Sequence, residues 1–211
     1  MHSKNAQCIG IFVMVCIAWF VDTNFVFGAS ANDTVSPVQL SVSATLSISC
    51  DASVSMNAIS GYGQSASTSQ NEVTCNVRTN NSSGYKMEWQ SSAATMTSGG
   101  DTIGAYTPAI VGTTELWSVS SADSEWGAKL SSGSEIYGAS EQSAWGTGDT
   151  YASDKWLNVN NTAAYQFFSR SVESSSDGDD QKIRFGAEVG SSKLQPSGTY
   201  SVDVTITATT L

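Results

Sequence analysis

Between Asn71 and Gln90 apolar and polar residues alternate twice, once on each side of a turn, and this limits the fold more than any other stretch. Val73, Cys75 and Val77 alternate with Glu72, Thr74, Asn76 and Arg78. Tyr85, Met87 and Trp89 then alternate with Lys86, Glu88 and Gln90. A period of two places one set of side chains on each face of a strand. Asn80-Asn81-Ser82-Ser83-Gly84 lies between them, residues that accept the backbone angles of a tight turn. The stretch predicts a hairpin with Cys75 on its buried face.

The same alternation runs from Leu40 through Val42, Ala44, Leu46 and Ile48 to Cys50, then at Ile183–Val189 and at Tyr200–Ala208. Val54, Met56 and Ala58 extend the first of these or form a short second strand. Shorter strands are expected at Thr102–Tyr106, Leu116–Val119, Trp126–Leu130, Trp156–Val159 and Ala164–Val172. Ser60–Gln70 reads as a Gly/Ser-rich loop, Ser91–Gly100 as a turn-rich link, and residues 131–155 as the least regular part. The expected fold is all-β with roughly eight to ten short strands, an antiparallel two-sheet β-sandwich of Ig-like or jelly-roll-like type. An N-terminal hydrophobic signal helix precedes it.

That leader carries a weakly basic start, His2 and Lys4, and an apolar run from Cys8 to Val21 broken only by Gly10. The run has the length of a secretory signal, and Ala29-Ser30-Ala31 fits a small-x-small cleavage site. Residues 1–31 are therefore read as a signal peptide and 32–211 as one secreted domain, with no membrane attachment after cleavage. The alternative, an uncleaved anchor, is opposed by Asp22 and Asn24, which stop the apolar run. Cys8 and Cys16 leave with the leader. Cys50 and Cys75 remain, and an even pair in an oxidising compartment reads as a disulfide. Such a bond contributes roughly 3.5 kcal/mol on the chain-entropy account. A redox or metal pair is the rival reading, but no histidine stands near to complete a metal site.

The chain has 211 residues, 9 basic and 19 acidic, a net charge of −10. That sign argues against nucleic acid and anionic membranes as partners. The only histidine, His2, is in the leader, so the mature domain has no imidazole base or metal ligand. No catalytic residue and no cofactor is expected. Carboxylate-only hydrolysis would need two acids across a groove, and Asp123, Glu125, Glu141, Asp149 and Asp154 are the acids of the Trp-rich middle. No motif pairs them, and solvated loop acids are the simpler reading. Asp177, Asp179 and Asp180 around Gly178 raise calcium, against the simpler reading of a solvated turn. Of the mature tryptophans, Trp89 and Trp126 lie on apolar strand faces and read as core. Trp145, flanked by Ser143, Gly146 and Gly148, is expected to be exposed, and with Tyr151 it could stack on a cell-surface glycan. Asn32, Asn80, Asn81 and Asn160 each begin an Asn-x-Ser/Thr triplet.

The run Val77–Met87, with its Thr79-Asn80-Asn81 and Gly84-Tyr85, resembles the TNN-x-x-GY strand–turn–strand of secreted bacterial surface β-proteins. Gly198–Thr207 looks like their closing strand, and is also similar to the end of WxL-type wall-binding domains and of spore-coat-U-like pilus subunits. Trp117-Ser118-Val119 and Trp156-Leu157 match the WxL pattern imperfectly. The resemblance implies a surface or appendage role and brings no catalytic residues with it. The expected function is a non-enzymatic structural or interaction protein, a fibre or coat subunit that self-associates or meets other surface proteins through its long terminal strands. The alternatives are a glycan-binding surface module and, behind it, a carboxylate-dependent glycoside hydrolase.

Overall fold

The computed structural model describes residues 39–62, 71–148 and 153–211. The expected signal peptide 1–31, Asn32, Asp149, Tyr151 and most of the loop 60–70 lie outside the described residues. The chain divides into Met1–Val42 and Ser43–Leu211. In the first unit Leu40 and Val42 are exposed. The described strands and helix all belong to the second.

In chain order these are β1 (Leu46–Cys50), β2 (Glu72–Thr79), β3 (Tyr85–Ser91), β4 (Thr95–Ser98), β5 (Asp101–Ala105), β6 (Glu115–Leu116), β7 (Ser124–Leu130), α1 (Ala139–Trp145), β8 (Lys155–Trp156), β9 (Tyr165–Arg170), β10 (Asp179–Val189) and β11 (Val204–Thr210). A six-stranded sheet has the order β1-β2-β10-β7-β5-β4, a three-stranded sheet β11-β3-β9, and a two-stranded sheet β6-β8. The all-β expectation holds. Pairing is antiparallel except between β5 and β7, which run parallel over Gly104 and Ala105.

Register explains the core. Ile183 stands opposite Val73 on one side and Leu130 on the other, so the apolar sets of β2, β10 and β7 share one face. That face carries Val73, Cys75, Val77, Phe185, Ala187, Trp126 and Ala128, all buried. Tyr85, Met87 and Trp89 of β3 and Phe167 and Phe168 of β9 join the same core. Trp89 stacks on Phe167 with ring centroids 4.5 Å apart. Aromatic pairs of this kind add to the free energy of simple burial.

The expected hairpin is a different object. β2 pairs with β1 and β10, and β3 pairs with β11 and β9. The two strands do not pair with each other, so the turn is an arch that carries the chain from one sheet to another. Alternation cannot separate the two cases, because each strand buries one face in both. Gly84 fits the arch: its φ is +84, and a Cβ there would lie 1.8 Å from the carbonyl oxygen of Arg170. Only glycine combines that angle with so close a backbone approach.

Other boundaries also move. The alternating run that begins at Leu40 enters the ladder only at Leu46. Val54, Met56 and Ile59 form no strand, but they pack half-buried against the core. The expected link at 91–100 contains β4, and the irregular region contains α1. Glu141 accepts from the backbone N–H of Gly138 at 2.9 Å, which satisfies a free donor at the helix start.

Candidate functional site

β1 is the outer strand of its sheet and β11 the outer strand of the other. Among the described residues each pairs on one side only, so each leaves a row of backbone groups outside the described ladders. Between them lies a groove of about 450 Å³ lined by Val54, Met56, Val73, Met96, Val202 and Ile206 among others. Its floor is the core itself, Trp126 and Phe185. A second hollow of about 610 Å³ shares Val54, Met56, Met96 and Ser201 with the first and continues to Ile103, Val189 and Tyr200. The two make one apolar seam.

Asp51 and Gln195 at its borders are bonded within the fold, and Asp203 and Ser201 also line it. The Asp51 carboxylate accepts from the Thr74 N–H at 2.8 Å. The Gln195 amide donates to the Tyr200 hydroxyl at 2.7 Å and to the Thr102 carbonyl at 3.1 Å, and accepts from Ser124 at 2.7 Å. The apolar part of such a seam suits apolar side chains on an extended backbone.

The turn of the arch holds both ends of this region. Asn80 accepts from the Thr45 N–H at 2.7 Å and donates to the Ser43 carbonyl at 3.0 Å. Thr79 donates its hydroxyl to the Thr45 carbonyl at 2.6 Å. Asn81 donates to the carbonyls of Gly84 and Leu211, at 2.9 and 3.1 Å. The Thr79-Asn80-Asn81 motif is therefore a clasp on the chain entering β1 and the chain leaving β11. Two of its residues begin Asn-x-Ser triplets, so the side chains read as sugar acceptors hold a turn.

Cys50 and Cys75 form the expected disulfide. They stand opposite each other in the β1/β2 register with Cα atoms 4.0 Å apart. The next pair exchanges a backbone bond, Asp51 N–H to Thr74 carbonyl at 3.0 Å, so the cysteines occupy the closer, non-bonded rung. Cys75 is buried and Cys50 is exposed.

The expected exposure of Trp145 is corrected. It is 4 % exposed and meets Trp89 edge-on, with centroids 5.7 Å apart. Its small neighbours suggested an open loop, but α1 turns its last residue inward. The aspartates also separate. Asp179 is fully buried, where it accepts from the Tyr85 hydroxyl at 2.9 Å and pairs with Arg170 at 2.6 Å. Asp180 accepts from the Asn76 amide at 2.8 Å, and Asp177 is exposed. Among the described residues no group of three or more acidic, histidine or cysteine side chains is placed to hold a metal ion. Burial, then the Asp179 bond, pushes the Tyr85 phenol far above its ordinary range.

The acids of the Trp-rich middle have separate tasks. Asp123 is exposed, Glu141 caps α1, and Asp154 pairs with Lys129 inside the protein. Glu125 accepts from the Thr107 N–H at 3.2 Å, and burial lifts its carboxyl above the usual range. Outside the ladder face, Trp117 stacks on Tyr106 with centroids 4.6 Å apart and meets Trp156 edge-on at 5.2 Å. No protein-family model matches this chain, and no curated protein matches it.

Proposed function

We propose that this chain is a non-enzymatic structural or interaction protein of the cell surface, a fibre or coat subunit that joins further copies by strand addition at the open seam. One observation carries the reading: an apolar groove open to the core lies between two sheet-edge strands, while the alternating residues Leu40, Val42 and Ala44, which precede β1 in sequence, belong to no described ladder. An extended segment from a second copy supplies what the groove lacks, alternate apolar side chains and backbone partners. Secretion by the leader at 1–31, an Ig-like or jelly-roll-like sandwich and the likeness to bacterial surface β-proteins belong to the same reading. Glycan stacking loses its main residue with the burial of Trp145.

The test is assembly of the purified secreted protein, followed by sedimentation and negative-stain electron microscopy. Concentration-dependent oligomers are expected, and they should disappear when Leu40 and Val42 are both replaced by lysine with the fold retained. A strict monomer at every concentration overturns the reading.

A further inference from the structure

Lys129 and Asp154 pose a question that surface association does not answer. Lys129 lies on β7 and faces away from the core shared by Ala128 and Leu130. Loop residues cover it, so that its Nζ sits 2.6 Å from Asp154 Oδ2 with both side chains fully buried. One residue, Gly148, serves both partners through its backbone. The Gly148 carbonyl accepts from Lys129 Nζ at 3.0 Å, and the Gly148 N–H donates to Asp154 Oδ1 at 3.1 Å. Gly146 closes over the same carboxylate: its φ is +98, and a Cβ there would lie 2.7 Å from Oδ1. In the β7/β10 register Lys129 stands opposite Arg184, and Arg184 pairs with Glu72.

We propose that Lys129 and Asp154 are a self-modification site, where the amine and the carboxyl condense to an intramolecular amide once the chain has folded. Both side chains have left water, so the contact carries the desolvation cost of two charges. Moving one proton from Nζ to Oδ2 leaves a neutral amine facing a carboxylic acid. The Nζ lone pair then attacks Asp154 Cγ, and the new C–N bond places negative charge on Oδ1, against the Gly148 N–H. A second proton passes from Nζ to Oδ2, the C–Oδ2 bond breaks, and water leaves. Ammonium plus carboxylate thus become a secondary amide plus one water, with no oxidant, reductant or outside reactant. Two fixed groups in contact react with effective molarities of roughly 10⁵ M or more, and a closed site does not return the water. The Gly148 carbonyl orients the amine and the Gly148 N–H polarises the carboxyl.

The inference does not depend on surface association, since a monomer could carry the bond. The test is the intact mass of the secreted full chain after reduction, compared with the sequence from its observed N-terminus. The expected mass is one water lighter, and a chymotryptic digest should leave the peptides holding Lys129 and Asp154 joined. Lys129→Arg, which keeps the charge pair, and Asp154→Ala should each restore the full mass. A wild-type mass equal to the sequence, a water lost elsewhere in the chain, or a deficit that survives Lys129→Arg overturns the proposal. The wild-type measurement decides even if a variant does not fold.

Discussion

Glu125 and Glu188 stand opposite each other on β7 and β10, two like charges on one rung. The sheet tolerates them by giving each a donor. Trp117 donates its indole N–H to Glu188, and the Thr107 N–H donates to Glu125. The donors do not fully compensate. Burial first, and then the charges of Asp123 and Glu188, lift the Glu125 carboxyl above its ordinary value. A carboxylate whose folded value is raised costs stability when ionised. That cost is fully present above the folded value, shrinks as pH falls through it, and is gone below the unfolded value of about 4.3. Glu125→Gln keeps an oxygen for Thr107 and removes the charge. Its melting temperature should exceed that of the parent at pH 7, and the gap should close as the pH is lowered toward 4. Thermal melts at the two pH values check the sign, and a less stable variant at pH 7 would contradict it.

At the scale of elements, the arch between β2 and β3 is where local sequence and distant chain meet. Asn81 is bonded to the last residue of the chain as well as to its own turn. Leu211 N–H also donates to the Gly84 carbonyl at 3.1 Å, so the end of β11 closes on the turn from both directions. Asn81→Ala removes three side-chain bonds, to Gly84, Leu211 and Ser83, about 0.5–1.5 kcal/mol each. The loss should be local. Amide exchange at the end of β11 should quicken more than exchange in β10, which has partners on both sides. Equal acceleration in both strands would mean that the turn supports the whole fold instead. Alternation made much of the sheet legible: β2, β3, most of β11 and the later part of β10 coincide with stretches of period two, while β10 begins inside the expected turn at Asp179. It could not name their partners, because Val73 and Met87 read alike whether their strands share a sheet or face across a core. The cysteine pair was legible as the even pair left outside the expected leader. Trp145 was misread because its serine and glycine neighbours mark a loop in sequence. Glu141 near the start and Gly146 at the end of α1 were the helix signals. Lys129 falls on the polar side of its strand by alternation, and only the covering loop, distant in sequence, makes it a buried group.

For the whole molecule, charge and apolar surface oppose each other. Within residues 1–31 Lys4 and Asp22 cancel, so residues 32–211 by themselves also carry a net charge of −10. Copies that meet at the seam must bring that charge together, while Val54, Met56, Val202 and Ile206 favour contact. The two terms respond differently to salt. Repulsion between surface charges reaches about 30 Å at 0.01 M and about 10 Å at 0.1 M ionic strength, whereas apolar burial is not screened. Association at an apolar seam should therefore strengthen as sodium chloride rises over that range, and sulfate should strengthen it further at equal ionic strength. Assembly held by ion pairs between copies would respond with the opposite sign. Sedimentation across a salt series, with the Leu40→Lys, Val42→Lys double variant beside the parent, separates the two. If the parent dissociates as salt rises, charged contacts and not the groove join the copies. If it associates and the variant does not, the alternating residues ahead of β1 are the part that docks.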